Sequence, residues 1–299
     1  MTANNTTNFM QSDRWTPLFC TQTVIAITAF LLNAAVLIRH LLQPSIISHF
    51  TVYLLVLYLA NVVIILGVKP MELFNDIHNG GNWSFGGQLC IIHTYFLLVF
   101  SVTPLLSHLL IATDRFWALQ FPHSYRSHHN IKTSLLICLG MVCYVHCFAL
   151  PAFIVYLPSI NAAHCQPSPR SRYWYRVEYV IDRIVPLLLI LVIYLFIIIK
   201  RWHRRKTPAS VHVSPAGSRI PHSTTVLAVR RTSVRPFVVL TLTTLEVAVC
   251  WLPLDVYFAC KVYFNYRMPD SVAQCFVILF TLQSVFDPLI WVFSRRHKR

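Results

Sequence analysis

Asp114 and Arg115 stand side by side in the stretch Ala112-Thr113-Asp114-Arg115-Phe116-Trp117, at the inner end of a long apolar run. A charge inside a bilayer costs roughly 3 kcal/mol or more. An ordinary ion pair at the membrane edge is worth about 0–1 kcal/mol, so two charges placed there are costly unless they have a function. Asp287 lies within another apolar run, just before Pro288. A buried carboxylate there needs a cation, a donor or a proton. Glu178 and Asp182 are spaced to share one face of a helix. No CxxC or Cys/His metal spacing, phosphate loop, HExxH or nucleophile elbow occurs, and His108 and His146 stand alone in their runs. No catalytic residue, metal site or cofactor is expected, and the chain does not read as an enzyme.

The elements that position these groups are membrane spans. Of 299 residues, 56% are hydrophobic and only 12% charged, where a soluble domain carries about 25% charged residues. Seven runs long enough to cross a bilayer cover roughly 18–40, 50–73, 88–120, 133–157, 174–200, 234–262 and 269–293. The fold class expected is an all-α membrane protein, a seven-transmembrane helix bundle. Segment 1–17 is then an extracellular N-terminus, 18–293 the bundle, about 201–233 the third inner loop and 294–299 a short cytoplasmic tail.

The formal charge of +15 is confined between apolar runs, which points to a bilayer rather than to nucleic acid. Lys200, Arg201, Arg204, Arg205, Lys206, Arg219, Arg230, Arg231 and Arg235 crowd one loop, which places that side in the cytoplasm. The N-terminus is then outside, in a multi-pass membrane protein. Sequons at Asn4, Asn5 and Asn82 fall on the outside as glycosylation candidates. Residues 1–16 show no cleavable signal pattern. Cys138, Cys143, Cys147 and Cys250 sit in spans as packing residues, while Cys90 and Cys165 face the oxidising outside.

Ordered motifs along nearly the whole chain resemble those of rhodopsin-like (class A) G protein-coupled receptors. Asn33 resembles the first-helix Asn, and Leu57-Tyr58-Leu59-Ala60-Asn61 the second-helix motif. Trp83-Ser84-Phe85-Gly86 followed by Cys90 resembles the first outer loop. Asp114-Arg115-Phe116 with Pro122 and Tyr125 resembles the Asp-Arg-Tyr region, and Pro151 ends the fourth helix. Pro186 and Tyr194 keep the fifth-helix spacing. Cys250-Trp251-Leu252-Pro253 matches the sixth-helix motif, and Asp287-Pro288-Leu289-Ile290-Trp291 stands where Asn-Pro-x-x-Tyr is usual.

The departures are informative. Phe116 and Trp291 lack the usual hydroxyl, Met141 stands near the fourth-helix Trp position, and Val247 stands for the sixth-helix Phe. Asn61 and Asp287 have exchanged the usual Asp and Asn, so the carboxylate has crossed the bundle.

The resemblance implies a Cys90–Cys165 disulfide. It makes Asp114, Arg115, Tyr194, Asp287, Pro288 and Trp291 coupling residues, and Asn33, Asn61 and Asp287 one polar site. Trp251, Pro253 and Pro186 would form an activation hinge, against the reading of a packed aromatic and static kinks. Glu72, His93, Glu178, Asp182 and Asp255 would reach an outer cavity, where the carboxylates favour a cationic ligand or basic peptide. The competing reading pairs them internally with Lys69, Arg183, His93 or Lys261. Leu97 replaces the amine-binding Asp and Thr281 the retinal Lys, so neither an ordinary monoamine site nor retinal is implied. Pro104 replaces a polar third-helix ligand, which argues against sodium. Partners implied are an extracellular ligand, a heterotrimeric G protein and the bilayer, without nucleic acid. Ser233, after Arg230-Arg231-Thr232, is a phosphorylation candidate. A transporter or channel is the rival class, but no repeat is visible and the chain has only seven Gly.

Overall fold

The computed structural model describes residues 17–79, 83–156, 160–161, 165–167, 172–206, 238–264, 266 and 269–296. Asn4, Asn5, Asn82 and Ser233 lie outside the described residues. Seven helical spans are long and apolar enough to cross a membrane: Phe19–Leu42, His49–Asn75, Gly86–Gln120, Ile131–Pro151, Arg176–His203, Val238–Lys261 and Ser271–Phe293. They form a seven-transmembrane bundle and are called the first to seventh spans below. A two-residue antiparallel ribbon, Ile160–Asn161 with Gln166–Pro167, decorates the loop before the fifth span.

Local chemistry sets the helix ends. The Ser48 hydroxyl accepts the Thr51 backbone N–H at 3.4 Å and starts the second span. Pro122, at the first helical position, opens the short helix Pro122–His128 below the third span. Within the spans, the hydroxyls of Thr28, Thr103, Thr113, Thr243 and Thr281 donate to the carbonyl four residues back. Apolar surroundings leave them no water to use instead.

The bundle is apolar outside and partly polar within. Leu31, Leu136, Leu139, Val192 and Leu195 are exposed, whereas Asn33, Asn61, Gln283 and Asp287 are buried. The second span is the most buried of the seven and the fourth and fifth the least, so the second is the hub. One apolar cluster joins Val36, Tyr53, Leu57, Ile111 and Trp291. A second joins Leu105, Leu187, Ile190, Val247, Cys250 and Trp251 across the third, fifth and sixth spans.

Proline shapes three of the spans that carry the site. Pro288 lies inside the seventh helix. The sixth span is interrupted by a turn at Trp251, two residues before Pro253. In the fifth, a wide π turn covers Val180–Ile184 just before Pro186. Proline has no N–H to give to residue 182, and its ring crowds that carbonyl, so a widened turn is the expected relief.

Candidate functional site

Functional side chains gather at three depths. At the inner end, Arg115 Nη2 lies 2.7 Å from Asp114 Oδ2, with its guanidinium 4.1 Å from the Phe50 ring centroid. The pair read from the sequence is thus formed. Two groups not anticipated as partners complete it. The Tyr125 hydroxyl donates to Asp114 Oδ1 at 3.1 Å, and His129 Nε2 lies 2.7 Å from the same oxygen. His49 Nε2 meets the Tyr125 hydroxyl at 2.9 Å. Burial, reinforced by the neighbouring Asp114 charge, pushes the Tyr125 phenol up from its ordinary value, so it stays a donor. Nearby, Tyr194 packs against the apolar cluster formed by Ala112, Ile197 and Leu240. Trp291 turns to the first span, 4.8 Å from the His40 ring.

The middle depth holds the polar site. Asn33 Nδ2 donates to the Ser284 carbonyl at 2.7 Å, and Asn61 Nδ2 donates to Asn33 Oδ1 at 3.3 Å. Asn61 Nδ2 also donates to Asp287 Oδ2 at 3.0 Å. Asn33, Asn61 and Asp287 are therefore brought together. Gln283 adds a second donor to Asp287 Oδ2 at 2.8 Å. His108, which looked solitary in sequence, places Nε2 at 3.1 Å from Asp287 Oδ1. Glu246 joins them, its carboxylate, the His108 ring nitrogen and the Asp287 carboxylate lying within 4.8 Å of one another. These residues come from the third, sixth and seventh spans, so no linear spacing could have revealed the group.

Toward the outer half, Trp251 is fully buried and meets Phe280 edge-on at 4.8 Å. The Arg183 guanidinium lies 5.4 Å from the Trp251 ring centroid and 5.8 Å from that of Phe280. Arg183 donates to the Ser101 hydroxyl at 2.9 Å and comes within 3.9 Å of Asp255 Oδ1. The Tyr179 hydroxyl donates to the Asp255 backbone carbonyl.

The remaining outer carboxylates are not one open patch. Asp182, inside the π turn, accepts from the Tyr144 hydroxyl at 3.0 Å. Relative to a continuous α-helix, the π turn rotates the later residues of the span, and Arg183 rather than Asp182 faces Trp251. Glu178 is buried at the end of the preceding helix. Glu72 pairs with Lys69 at 2.8 Å and lies 3.9 Å from His93. Lys261 faces the Tyr257 ring at 6.0 Å. Cys90 and Cys165 form a disulfide that ties the third span to the outer ribbon.

Comparison with known proteins agrees with this arrangement. A family model described as 7 transmembrane receptor (rhodopsin family) matches residues 32–291. Trace amine-associated receptor 5 of Mus musculus is 27% identical over 260 residues, 81% of this chain and 71% of that receptor. The Rattus norvegicus receptor of the same name is 26% identical over 257 residues, with the same coverage of 81% and 71%. Alpha-2B adrenergic receptor of Dugong dugon is 25% identical over 202 residues, 64% of this chain and 50% of that receptor.

Proposed function

This chain belongs to the rhodopsin family of seven-transmembrane receptors, and on that premise we propose that it binds a cationic extracellular ligand and activates a heterotrimeric G protein. The observation that carries the ligand reading is the state of Asp255. Its side chain is buried, both carboxylate oxygens lack a hydrogen bond, and Arg183 comes no closer than 3.9 Å. A buried carboxylate so loosely held favours a better donor. A ligand ammonium or guanidinium would take Asp255 in exchange for Arg183. Arg183 lies over Trp251 and Phe280, so the exchange would be felt at the break in the sixth span. Leu97 stands where monoamine receptors carry their amine-binding Asp, and Asp255 would serve as the anion instead. Two relatives are named for trace amines, which accords with a positively charged ligand.

Coupling would run through Asp114 and Arg115. Ligand exchange at Arg183 would favour an arrangement in which the inner ends of the third and sixth spans part and Arg115 leaves Asp114 for the G protein. The direct test is GTP exchange on a panel of purified heterotrimers, with the receptor in nanodiscs and a library of amines and basic peptides. The expected result is stimulation by at least one compound in wild type and none in Arg115→Ala at matched receptor density. An agonist whose potency is indifferent to Asp255→Asn would overturn the ligand reading. Exchange equal in wild type and Arg115→Ala would overturn the coupling reading.

A further inference from the structure

We propose that His108, Glu246 and Asp287 form a binding site for a divalent transition-metal ion, with Zn²⁺ the ion whose chemistry fits best. Their exposures are 3%, 6% and 4%, and their ligand atoms lie within 4.8 Å of one another on three different spans. The atoms facing each other are electron-rich and short of donors. Both Glu246 oxygens and Asp287 Oδ1 have no hydrogen-bond partner. Asp287 is held by its other oxygen, which accepts from Asn61 at 3.0 Å and Gln283 at 2.8 Å. That grip leaves Oδ1 directed at His108 Nε2, 3.1 Å away.

The state of His108 is set by Gln283. The Gln283 amide nitrogen lies 3.2 Å from His108 Nε2 and can only donate. Nε2 must then present its lone pair, which is the form of imidazole that ligates metals. It cannot at the same time donate to Asp287. Lone pairs from one nitrogen and two carboxylates therefore converge. With both carboxyls ionised the group would carry two negative charges in a low-dielectric interior, which a dication would cancel.

One nitrogen with two carboxylates selects Zn²⁺ and its neighbours over Mg²⁺ or Ca²⁺, which prefer all-oxygen shells. Zinc bonds of about 2.0–2.2 Å need ligand atoms about 3.4 Å apart, so the group must close by roughly 1 Å on binding. Asn61 and Gln283 would supply the outer hydrogen bonds that orient a metal-bound carboxylate. A bound ion would bridge the third, sixth and seventh spans. It would stabilise the packed arrangement over any that moves the sixth span away from the third. This last consequence, unlike the binding itself, rests on the receptor reading above.

The experiment uses the full chain in nanodiscs, stripped with a chelator and titrated with Zn²⁺, Mg²⁺, Ca²⁺ or Na⁺. Bound metal per chain and the thermal unfolding midpoint are measured together. The chain has 14 histidines, so surface binding is removed by difference against Glu246→Gln, His108→Gln and Asp287→Asn. Zn²⁺ alone should raise the wild-type midpoint. Each variant should lose one equivalent of tight metal and bind the rest unchanged. Altering outer-shell partners commonly costs 10–100-fold in affinity, so loss of a ligand should cost about tenfold or more.

Equal zinc binding and stabilisation in wild type and Glu246→Gln would overturn the site. So would a silent zinc titration with a Glu246→Gln midpoint above wild type, which is the signature of two carboxyls sharing a proton. Should Glu246→Gln not fold, Asp287→Asn carries the same comparison. Zinc binding that is intact but leaves basal GTP exchange unchanged would count against the signalling consequence, not against the site.

Discussion

Asp114 sits among Arg115, Tyr125 and His129, and their relative grip decides how readily Arg115 is released. The carboxylate is almost fully buried, so each neighbour replaces a water it cannot reach. Arg115→Ala is expected to reach the cell surface at normal density and to lose agonist-driven GTP exchange; normal exchange at matched density would dismiss the switch. Tyr125→Phe removes one hydrogen bond to a charged acceptor, worth about 1.5–3 kcal/mol. It is expected to raise basal exchange without abolishing the agonist response, measured in the same assay. Deeper in the bundle, the Asn61–Asp287 bond invites a double-mutant cycle. Asn61→Asp alone sets two carboxylates about a hydrogen bond apart, whereas Asn61→Asp with Asp287→Asn restores one of each. The double variant should melt above the single by a coupling of about 0.5–3 kcal/mol, and additivity would dissolve the pair. Asp114, Arg115, Asn61 and Asp287 were legible because charges and amides in apolar runs are conspicuous. His129, Gln283 and Glu246 were not. Each acquires its role only from a neighbour on another helix, and one sequence carries no trace of that proximity.

Helices were the most legible part of the chain, since a span must satisfy its backbone internally and must be apolar along its length. The seven runs read from composition and the seven helices coincide closely. What composition could not supply was rotation about each helix axis. Glu178 and Asp182 read as one ligand-facing stripe. The π turn at Val180–Ile184 instead commits Asp182 to Tyr144 and brings Arg183 over Trp251. The fifth and sixth spans are consequently linked by a long Arg183–Asp255 contact, and its exchange yields a paired expectation. Asp255→Asn should raise the EC50 of a cationic agonist about ten- to a hundredfold, the value of one charge-assisted contact. Arg183→Gln removes the competing cation and should lower it. Concentration–response curves at matched expression separate the two, and the opposite pattern would indicate an anionic ligand. The disulfide is the other joint between elements. Cys90→Ala frees the third span from the outer ribbon, and loss of a structural disulfide costs about 2–5 kcal/mol. Surface expression should fall accordingly, read by labelling of intact cells.

At the scale of the whole molecule, the distribution of charge determines how the bundle enters the membrane. The described bundle has an apolar perimeter with no orientation of its own, and Leu31, Leu136 and Leu195 would suit either direction. The asymmetry lies in the segments between spans. Lys200, Arg201, Arg204, Arg205 and Lys206 extend the inner end of the fifth span, and Arg219, Arg230, Arg231 and Arg235 come before the sixth. Lys and Arg in short loops near span ends are retained in the cytoplasm. Each basic residue near an anionic leaflet contributes about 1 kcal/mol, so the bias of this loop is large. In that orientation Asp114 and Arg115 would lie at the cytoplasmic end, where a transducer would meet them, and the disulfide would lie outside, where it would persist. The expected topology has the N-terminus and Asn82 outside and residues 207–237 inside. An epitope before the first span should be labelled on intact cells, and one within 207–237 only after permeabilisation. Asn4, Asn5 and Asn82, if used, should give a mobility shift on glycosidase treatment that Gln substitutions at all three remove. Replacing the five basic residues at 200, 201 and 204–206 by Gln should yield a fraction of chains with both epitopes inverted. Retention of a single orientation in that variant would move the determinant to the remaining arginines of the loop, and labelling of the wild-type loop on intact cells would reverse the topology altogether.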